Sequence, residues 1–392
     1  MGLARQRVNH VAINETPEQH IAVFGESGSG KTVLLSSFYG AAQEPGFTDN
    51  HLYRIICDSF KQGTKLHKNY LGMREKARPP IGNRFNAETY SFTLKLIEES
   101  ANNRQAWPFN ALKLVWHDYP GEWLNDGANS EEEGLVRLNT FKDLVQSDVA
   151  LILVDGAQLI DDEDNVERYL KSLLGNLKNT LLPLRDDLLS DGKKLVKFPR
   201  IWMFALTKCD LLPHYNAYAF RDLLLGNVGG EIADLRQILS GFIDGEEALS
   251  VGEDYILTSS AKFEAGQINL DDRVGINLVL PVASALPMQR HLRWANALVL
   301  PGRVAKELLN GVGAIASFVQ RFQHRLPQPL ATMINRAQPE VIAHATNLAD
   351  EGLEKLQKKA LQKRDFIAAI IAGFQLELSQ AESEKVLLRS HK

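Results

Sequence analysis

Apolar positions along the chain fall into two kinds of pattern. Short unbroken runs predict strands covered on both faces: residues 21–24 (IAVF), 149–154 (VALILV) and 201–206 (IWMFAL), with 254–257 leading into a last short strand. Residues 89–97 (TYSFTLKLI) alternate instead, and 112–117 (LKLVWH) follow across a polar turn, so these two are expected to pair as neighbours. Helical spacing predicts helices over 32–39, 131–146, 165–189 and in stretches up to about 243. In the helix at 131–146, Leu135, Leu138, Phe141 and Leu144 share one side. Strands that alternate with helices imply βαβ units with right-handed crossovers. The expected fold class is α/β: a doubly wound, mainly parallel sheet with helices on both faces.

Two regions depart from that rhythm. Residues 40–86 are irregular and rich in Lys, Arg, Asn, Gly and Pro, and read as an insertion with some helix around 65–76. Beyond residue 300 no strand signal is apparent. Val304, Leu308, Val312, Ile315, Val319 and Phe322 fall at helical spacing, as do Leu353, Leu356, Ala360, Ile367, Ile370 and Phe374. The expected organisation is therefore residues 1–300 as one α/β unit and 301–392 as a helical C-terminal region.

Composition narrows the function classes. The 392 residues carry 44 Lys and Arg against 48 Asp and Glu, a net charge of −4, which lacks the basic excess usual for nucleic-acid binding. The charge is uneven: residues 303–392 hold 13 basic and 9 acidic side chains, so the rest is the more acidic part. Two cysteines make neither a disulfide framework nor a four-ligand zinc site, which points to a reducing cytoplasm. The first twenty residues lack the apolar core of a signal peptide, and Gln6 departs from the myristoylation pattern. The longest late apolar stretch, 366–374, is far short of the roughly 18 residues that span a bilayer.

The strongest local signal follows the first predicted strand. Gly25-Glu26-Ser27-Gly28-Ser29-Gly30-Lys31-Thr32 fits G-x-x-x-x-G-K-[ST], with a strand before it and a helix opening on it. Glycines let backbone N–H groups converge on phosphate oxygens, and the helix N-terminus adds its positive dipole end. Residues Gly25 through Val33 are the expected phosphate-contacting stretch. Lys31 supplies a cation to the β and γ phosphates, and Thr32 a hydroxyl to Mg²⁺.

Two strands end in aspartate, Asp118 and Asp155, and either suits a magnesium carboxylate. The residues that follow favour Asp118: Asp118-Tyr119-Pro120-Gly121 has the form D-x-x-G, in which the glycine N–H can bond a γ phosphate and release it after hydrolysis. Asp155 then reads as a strand-end or capping carboxylate. Glu122 stands where it can orient the attacking water, and Trp123 is expected to pack the loop down. Further on, Thr207-Lys208-Cys209-Asp210 follows the 201–206 strand. A carboxylate there accepts from the N1–H and 2-amino group of guanine, and adenine has neither. Lys208 can lie over the base. Thr258-Ser259-Ser260-Ala261-Lys262 follows the last strand, where a backbone N–H from Ser260, Ala261 or Lys262 can donate to guanine O6.

In this order, GESGSGKT, DYPG, TKCD and TSSAK resemble the Ras-like GTPases of the TRAFAC class over about residues 18–300. DYPGEW is also similar to the YcjX-type and double-GTPase-like bacterial families, some of which sit in conflict or defence gene clusters. The resemblance implies a Mg²⁺-dependent, GTP-hydrolysing switch with GTP and GDP as ligands. The mildly basic helical tail is where a protein partner is expected. Two departures stand out. Thr207 replaces the usual Asn of the base-reading motif, and no clear switch threonine precedes the second strand; Thr89, then Thr64 and Thr48, are the candidates. Arg78 and Arg84 are candidate internal arginine fingers. Two alternatives stay open: a nucleotide-dependent interaction module with little hydrolysis, and an ATP-using enzyme, which leaves TKCD and TSSAK unexplained.

Overall fold

The computed structural model describes residues 18–80, 87–96, 110–124, 130–160, 163–189, 191–264, 266–308 and 366–391. Its centre is an eight-stranded sheet. Five strands run parallel: β1 (Glu18–Phe24), β4 (Asn110–Asp118), β5 (Val149–Asp155), β6 (Ile201–Thr207) and β7 (Ser250–Leu257). Strands joined through antiparallel pairs flank them. On one side lie β3 (Glu88–Leu96) and the edge strand β2 (Tyr53–Cys57), and on the other lies β10 (Leu387–Leu388). The order across the sheet is β10-β7-β6-β5-β1-β4-β3-β2. Strands β8 (Lys262–Glu264) and β9 (Gln267–Asn269) form a separate small hairpin.

The unbroken apolar runs make sense once both faces are covered. In β1, Ile21 and Val23 face one core and Ala22 and Phe24 the other. The first core takes Leu34, Leu35 and Phe38 of α1 (Lys31–Ala41) and Leu66 of α3 (Phe60–Lys76). It also takes α7 (Val279–Ala283), α8 (Ala285–Ala297) and α9 (Phe366–Ser383). The second core takes α4 (Glu131–Leu144), α5 (Glu163–Leu188) and α6 (Ala217–Phe242). Every residue of β5 and of β6 is buried. This is the doubly wound α/β arrangement expected of a phosphate-loop fold.

Of the region expected to be irregular, residues 40–80 are described and carry regular structure, and α3 covers the helix expected around 65–76. Within 40–86 lie α2 (Phe47–Asn50), β2 and α3. In β2 Tyr53, Ile55 and Cys57 point into the core while Arg54 and Ile56 face outward, the pattern of a strand with one open face. The C-terminal region also corrects the reading, because Leu387 and Leu388 form a strand where none was expected. Two residues carry no periodicity; the free edge of β7 makes them a strand. The tail positions at 312–322 and 353–360 and Arg84 lie outside the described residues. Among the described residues no helix is long and apolar enough to cross a membrane.

Helix α9 carries one charge under strain. Tyr53 packs edge-on against Phe374 at 5.8 Å, and burial beside it pushes the Glu377 carboxyl up to about 7. The folded chain therefore keeps a proton that the unfolded chain releases near the ordinary pKa of 4.5. That contribution is fully present at acid pH and is lost as pH rises through about 7. Glu377→Gln is expected to stabilise the chain at pH 8 by about 1–3 kcal/mol and to leave pH 4.5 unchanged. Thermal unfolding at the two pH values checks this, and equal shifts at both would contradict it.

Candidate functional site

The four sequence motifs leave the sheet at one edge. GESGSGKT follows β1, DYPG follows β4, TKCD closes β6 and TSSAK follows β7, and all four strands run parallel. In an open α/β sheet, loops beyond the carboxyl ends of the strands form the ligand crevice.

The loop after β1 is built by glycine and by one lysine. Gly28 and Gly30 take φ of 83° and 93°, the left-handed region that side chains resist, and α1 starts directly on Lys31. The Lys31 ammonium folds back over the loop and donates to the carbonyls of Gly25 at 2.6 Å and Glu26 at 3.0 Å. Burial pulls Lys31 down to about 8, against the opposing pull of Asp118, Glu122 and Glu26. Ser29 Oγ is buried without a hydrogen-bond partner, inside the loop expected to cradle phosphate. Thr32 and Val33 are half-buried at the start of α1, and Ser27 and Gly28 are exposed at the loop tip.

Asp118 lies opposite as the buried last residue of β4. Burial pushes its carboxyl up to about 6, while the Lys31 charge pulls the other way. The loop after it lies directly on the phosphate loop. A Cβ on Gly121 would stand 2.3 Å from Ser27 N and 2.5 Å from Glu26 C, so only glycine fits that approach. Glu122 Oε1 accepts from Ser27 Oγ at 3.0 Å. A cleft of about 120 Å³ separates the two loops, lined on one side by Tyr119, Gly121 and Glu122. Trp123 is buried, as expected, with the Arg137 guanidinium 5.3 Å over its ring.

Tyr119 was not singled out from sequence, yet it too links the loops. Its ring is buried against Phe24 and Phe141. Its hydroxyl accepts from Gly25 N at 2.8 Å, and Lys31 Nζ lies 5.2 Å over the ring. The variable position of D-x-x-G gives no warning of such a role. Asn176 of α5, which donates to Glu26 Oε1 at 3.2 Å, gives none either.

At the other pair of strand ends, Asp210 and the TSSAK loop meet. Ser259 Oγ donates to Asp210 Oδ1 at 2.7 Å, and Cys209 N donates to Thr258 O at 3.2 Å. Ser259 is completely buried. Its position inside TSSAK was the available signal, although the expected base contacts fell on its neighbours. Of those, Ala261 is buried and Ser260 and Lys262 are half-buried; Lys262 opens β8 and pairs with Glu264 at 3.2 Å. Thr207 Oγ1 donates to Val154 O at 3.2 Å.

Asp155 behaves as the strand-end carboxylate expected of it. Its Oδ1 caps Ala157 N at 2.9 Å, and its Oδ2 accepts from Lys208 Nζ at 2.7 Å. Lys208 itself takes φ of 52°. Gly156 allows β5 and β6 to end side by side, since a Cβ there would meet Thr207 O at 2.5 Å.

The threonine candidates scatter. Thr48 lies in α2, Thr64 in α3 and Thr89 in β3, with its Oγ1 3.3 Å from His117 Nδ1. Arg78 follows α3, and its N–H donates to Gly72 O at 2.9 Å. A larger cavity of about 460 Å³ lies against α2 and β2, away from the four strand ends, and its Arg273 and Glu44 are paired at 3.6 Å.

No family model and no curated protein matches this chain. Among solved structures, it is similar to Methanosarcina barkeri Roco2 RocCORdC bound to GDP, at 10% identity and a TM-score of 0.24, over 78% of this chain. The match covers 66% of that protein, so the chain spans just under two thirds of its length.

Proposed function

We propose that the protein is a guanine-nucleotide switch that binds GTP and GDP at the carboxyl edge of its sheet and hydrolyses GTP. One observation carries the reading: four motifs, spaced over more than two hundred residues, leave parallel strands of one sheet at the same edge. Two of them meet at a phosphate-sized cleft, and the other two meet at Asp210.

In this reading the residues from Gly25 to Val33 hold the phosphates. The unpartnered Ser29 hydroxyl and the amides around it gain acceptors there. Lys31 exchanges its two carbonyl contacts for phosphate oxygens. Thr32 and Asp118 are the residues that fit Mg²⁺, a hard cation that takes hydroxyl and carboxylate oxygens. When bound, the ion supplies charge neutralisation at the phosphates. Gly121 donates its N–H to the γ phosphate, and Glu122 leaves Ser27 to orient water. For that, the Glu122 side chain must turn away from Ser27 while Gly121 keeps its close approach, and release of that approach after hydrolysis is the switch.

Asp210 selects guanine, held in place by Ser259. Asp210→Asn is expected to weaken GTP by about 100-fold and to improve xanthosine triphosphate, because a purine with a 2-oxo group offers an acceptor where guanine offers a donor. Titration of both nucleotides checks this; unchanged GTP affinity would sink the assignment. Phosphate release over many turnovers separates a hydrolase from a binding module that acts through its tail. The narrower kinship to YcjX-type and double-GTPase-like proteins rests on DYPGEW alone, and a cytoplasmic setting on cysteine usage. The division near residue 300 is proposed as one of roles: nucleotide before it, a protein partner after it.

A further inference from the structure

The two base-reading loops leave β6 and β7, and β7 has a neighbour on its outer side. Strand β10 pairs with it through Leu387 to Ile256 and Leu388 to Tyr255. The turn before β10 passes through Lys385 with φ of 59°. From this turn two successive carbonyls reach the elements that adjoin the two loops. Lys385 O accepts from Ala217 N at 2.8 Å, and Val386 O accepts from Leu257 N at 2.9 Å. Leu257 directly precedes Thr258, and Ala217 opens α6 at the end of the short connection from Asp210.

The same segment is anchored further along. Ser390 N donates to Asp254 Oδ1 at 2.9 Å, and Ser390 O accepts from Arg290 Nη2 at 2.9 Å. Arg290 and Asp254 pair at 2.7 Å and are 2% and 0% exposed. Arg389 pairs with Glu382 and donates to Gln289 Oε1 at 3.1 Å. A buried ion pair adds little net stability, but losing one partner is costly, so these contacts act chiefly to hold the terminal strand in one place.

We propose that residues 384–391 are a positioning clip for the base-reading loops: docking of this segment sets affinity for the guanine end of the nucleotide and leaves the phosphate end untouched. The proposal rests on the reading of Asp210 as the guanine acceptor. Inside the sheet edge the loops are tied to each other by Ser259 to Asp210 and by Cys209 to Thr258; outside it Lys385 holds the start of α6 and Val386 the end of β7, the elements that adjoin them. Two hydrogen bonds to one purine edge need the carboxylate and the opposing amide held within about 0.5 Å. With the outer tie gone, the competent arrangement becomes a fraction of the population, and apparent affinity falls by that fraction.

The experiment compares GDP, ADP and inorganic pyrophosphate, each with Mg²⁺, by titration. The proteins are the full chain, a chain ending at Ser383, and the full-length variant Leu387→Ala, which loosens a buried contact of β10 without removing it. GDP is expected to weaken about tenfold or more on truncation and by a smaller factor in Leu387→Ala, while pyrophosphate stays within about threefold. A peptide of residues 384–392 is expected to restore part of the GDP affinity to the shortened chain. If truncation prevents folding, Leu387→Ala carries the comparison alone. Unchanged GDP affinity, or GDP and pyrophosphate falling by one common factor, would overturn the proposal. A full chain that binds GDP no better than ADP would overturn the guanine reading itself, and the clip with it.

Discussion

Gly121→Ala is expected to stop turnover while leaving the protein folded. The new methyl group would meet backbone atoms, Ser27 N at 2.3 Å and Glu26 C at 2.5 Å, so no side-chain rotation relieves it. Either the loop after β4 lifts away or the phosphate loop deforms. Overpacking of this kind costs about 1–3 kcal/mol, read as a lower unfolding midpoint in the ligand-free chain. Phosphate release should fall by about 100-fold or more, because the N–H of residue 121 no longer reaches its acceptor. Gly175→Ala is the control. It sits in α5 with nothing within 4 Å of the added Cβ, so turnover should stay the same and stability should be equal or slightly higher. Full turnover in Gly121→Ala would show that close approach of the two loops plays no part in the reaction.

Lys31→Ala is expected to have the largest effect on binding, about 100-fold or more for GTP, since it removes an ammonium buried against the phosphate loop. The same buried charges give the ligand-free protein a pH signature. Lys31 is pulled down to about 8 by burial, so it loses its charge as pH rises through that value. Asp118 is pushed up to about 6, so it takes a proton as pH falls through that value. Affinity for Mg²⁺ and GTP together should therefore be highest between about 6 and 8. Above 8, binding should take up a proton as phosphate restores the ammonium; below 6 it should release one as the cation restores the carboxylate. Calorimetry in buffers of different ionisation enthalpy reads both protons. The alkaline limb should vanish in Lys31→Ala, and its persistence would assign that limb to another group.

Much of this arrangement was legible along the chain because its signals are local. IAVF, VALILV and IWMFAL read as buried strands because both faces are covered, and the phosphate loop declares itself through glycine spacing directly beside a strand and a helix. What escaped depends on partners far away in the chain. The pentapeptide of β2 has one covered face and is too short to show a period beside its polar flanks. Leu387 and Leu388 become a strand only because β7 has a free edge 131 residues earlier, as in the pairing of Leu387 with Ile256. The hydroxyl of Tyr119 finds Gly25 across 94 residues and that of Ser259 finds Asp210 across 49, and neither contact leaves a mark on local pattern. The tail, expected as helical, does hold a helix at 366–383, and it also gives Leu387 and Leu388 to the central sheet.

The central claim is that one edge of this sheet recognises both the phosphates and the guanine of a nucleotide. Titration of the full chain with GDP and with ADP, each with Mg²⁺, tests it most directly. The account predicts that GDP binds about 100-fold more tightly than ADP, because adenine leaves the Asp210 carboxylate without its two donors. Equal affinity for the two, or no binding of either, would contradict it.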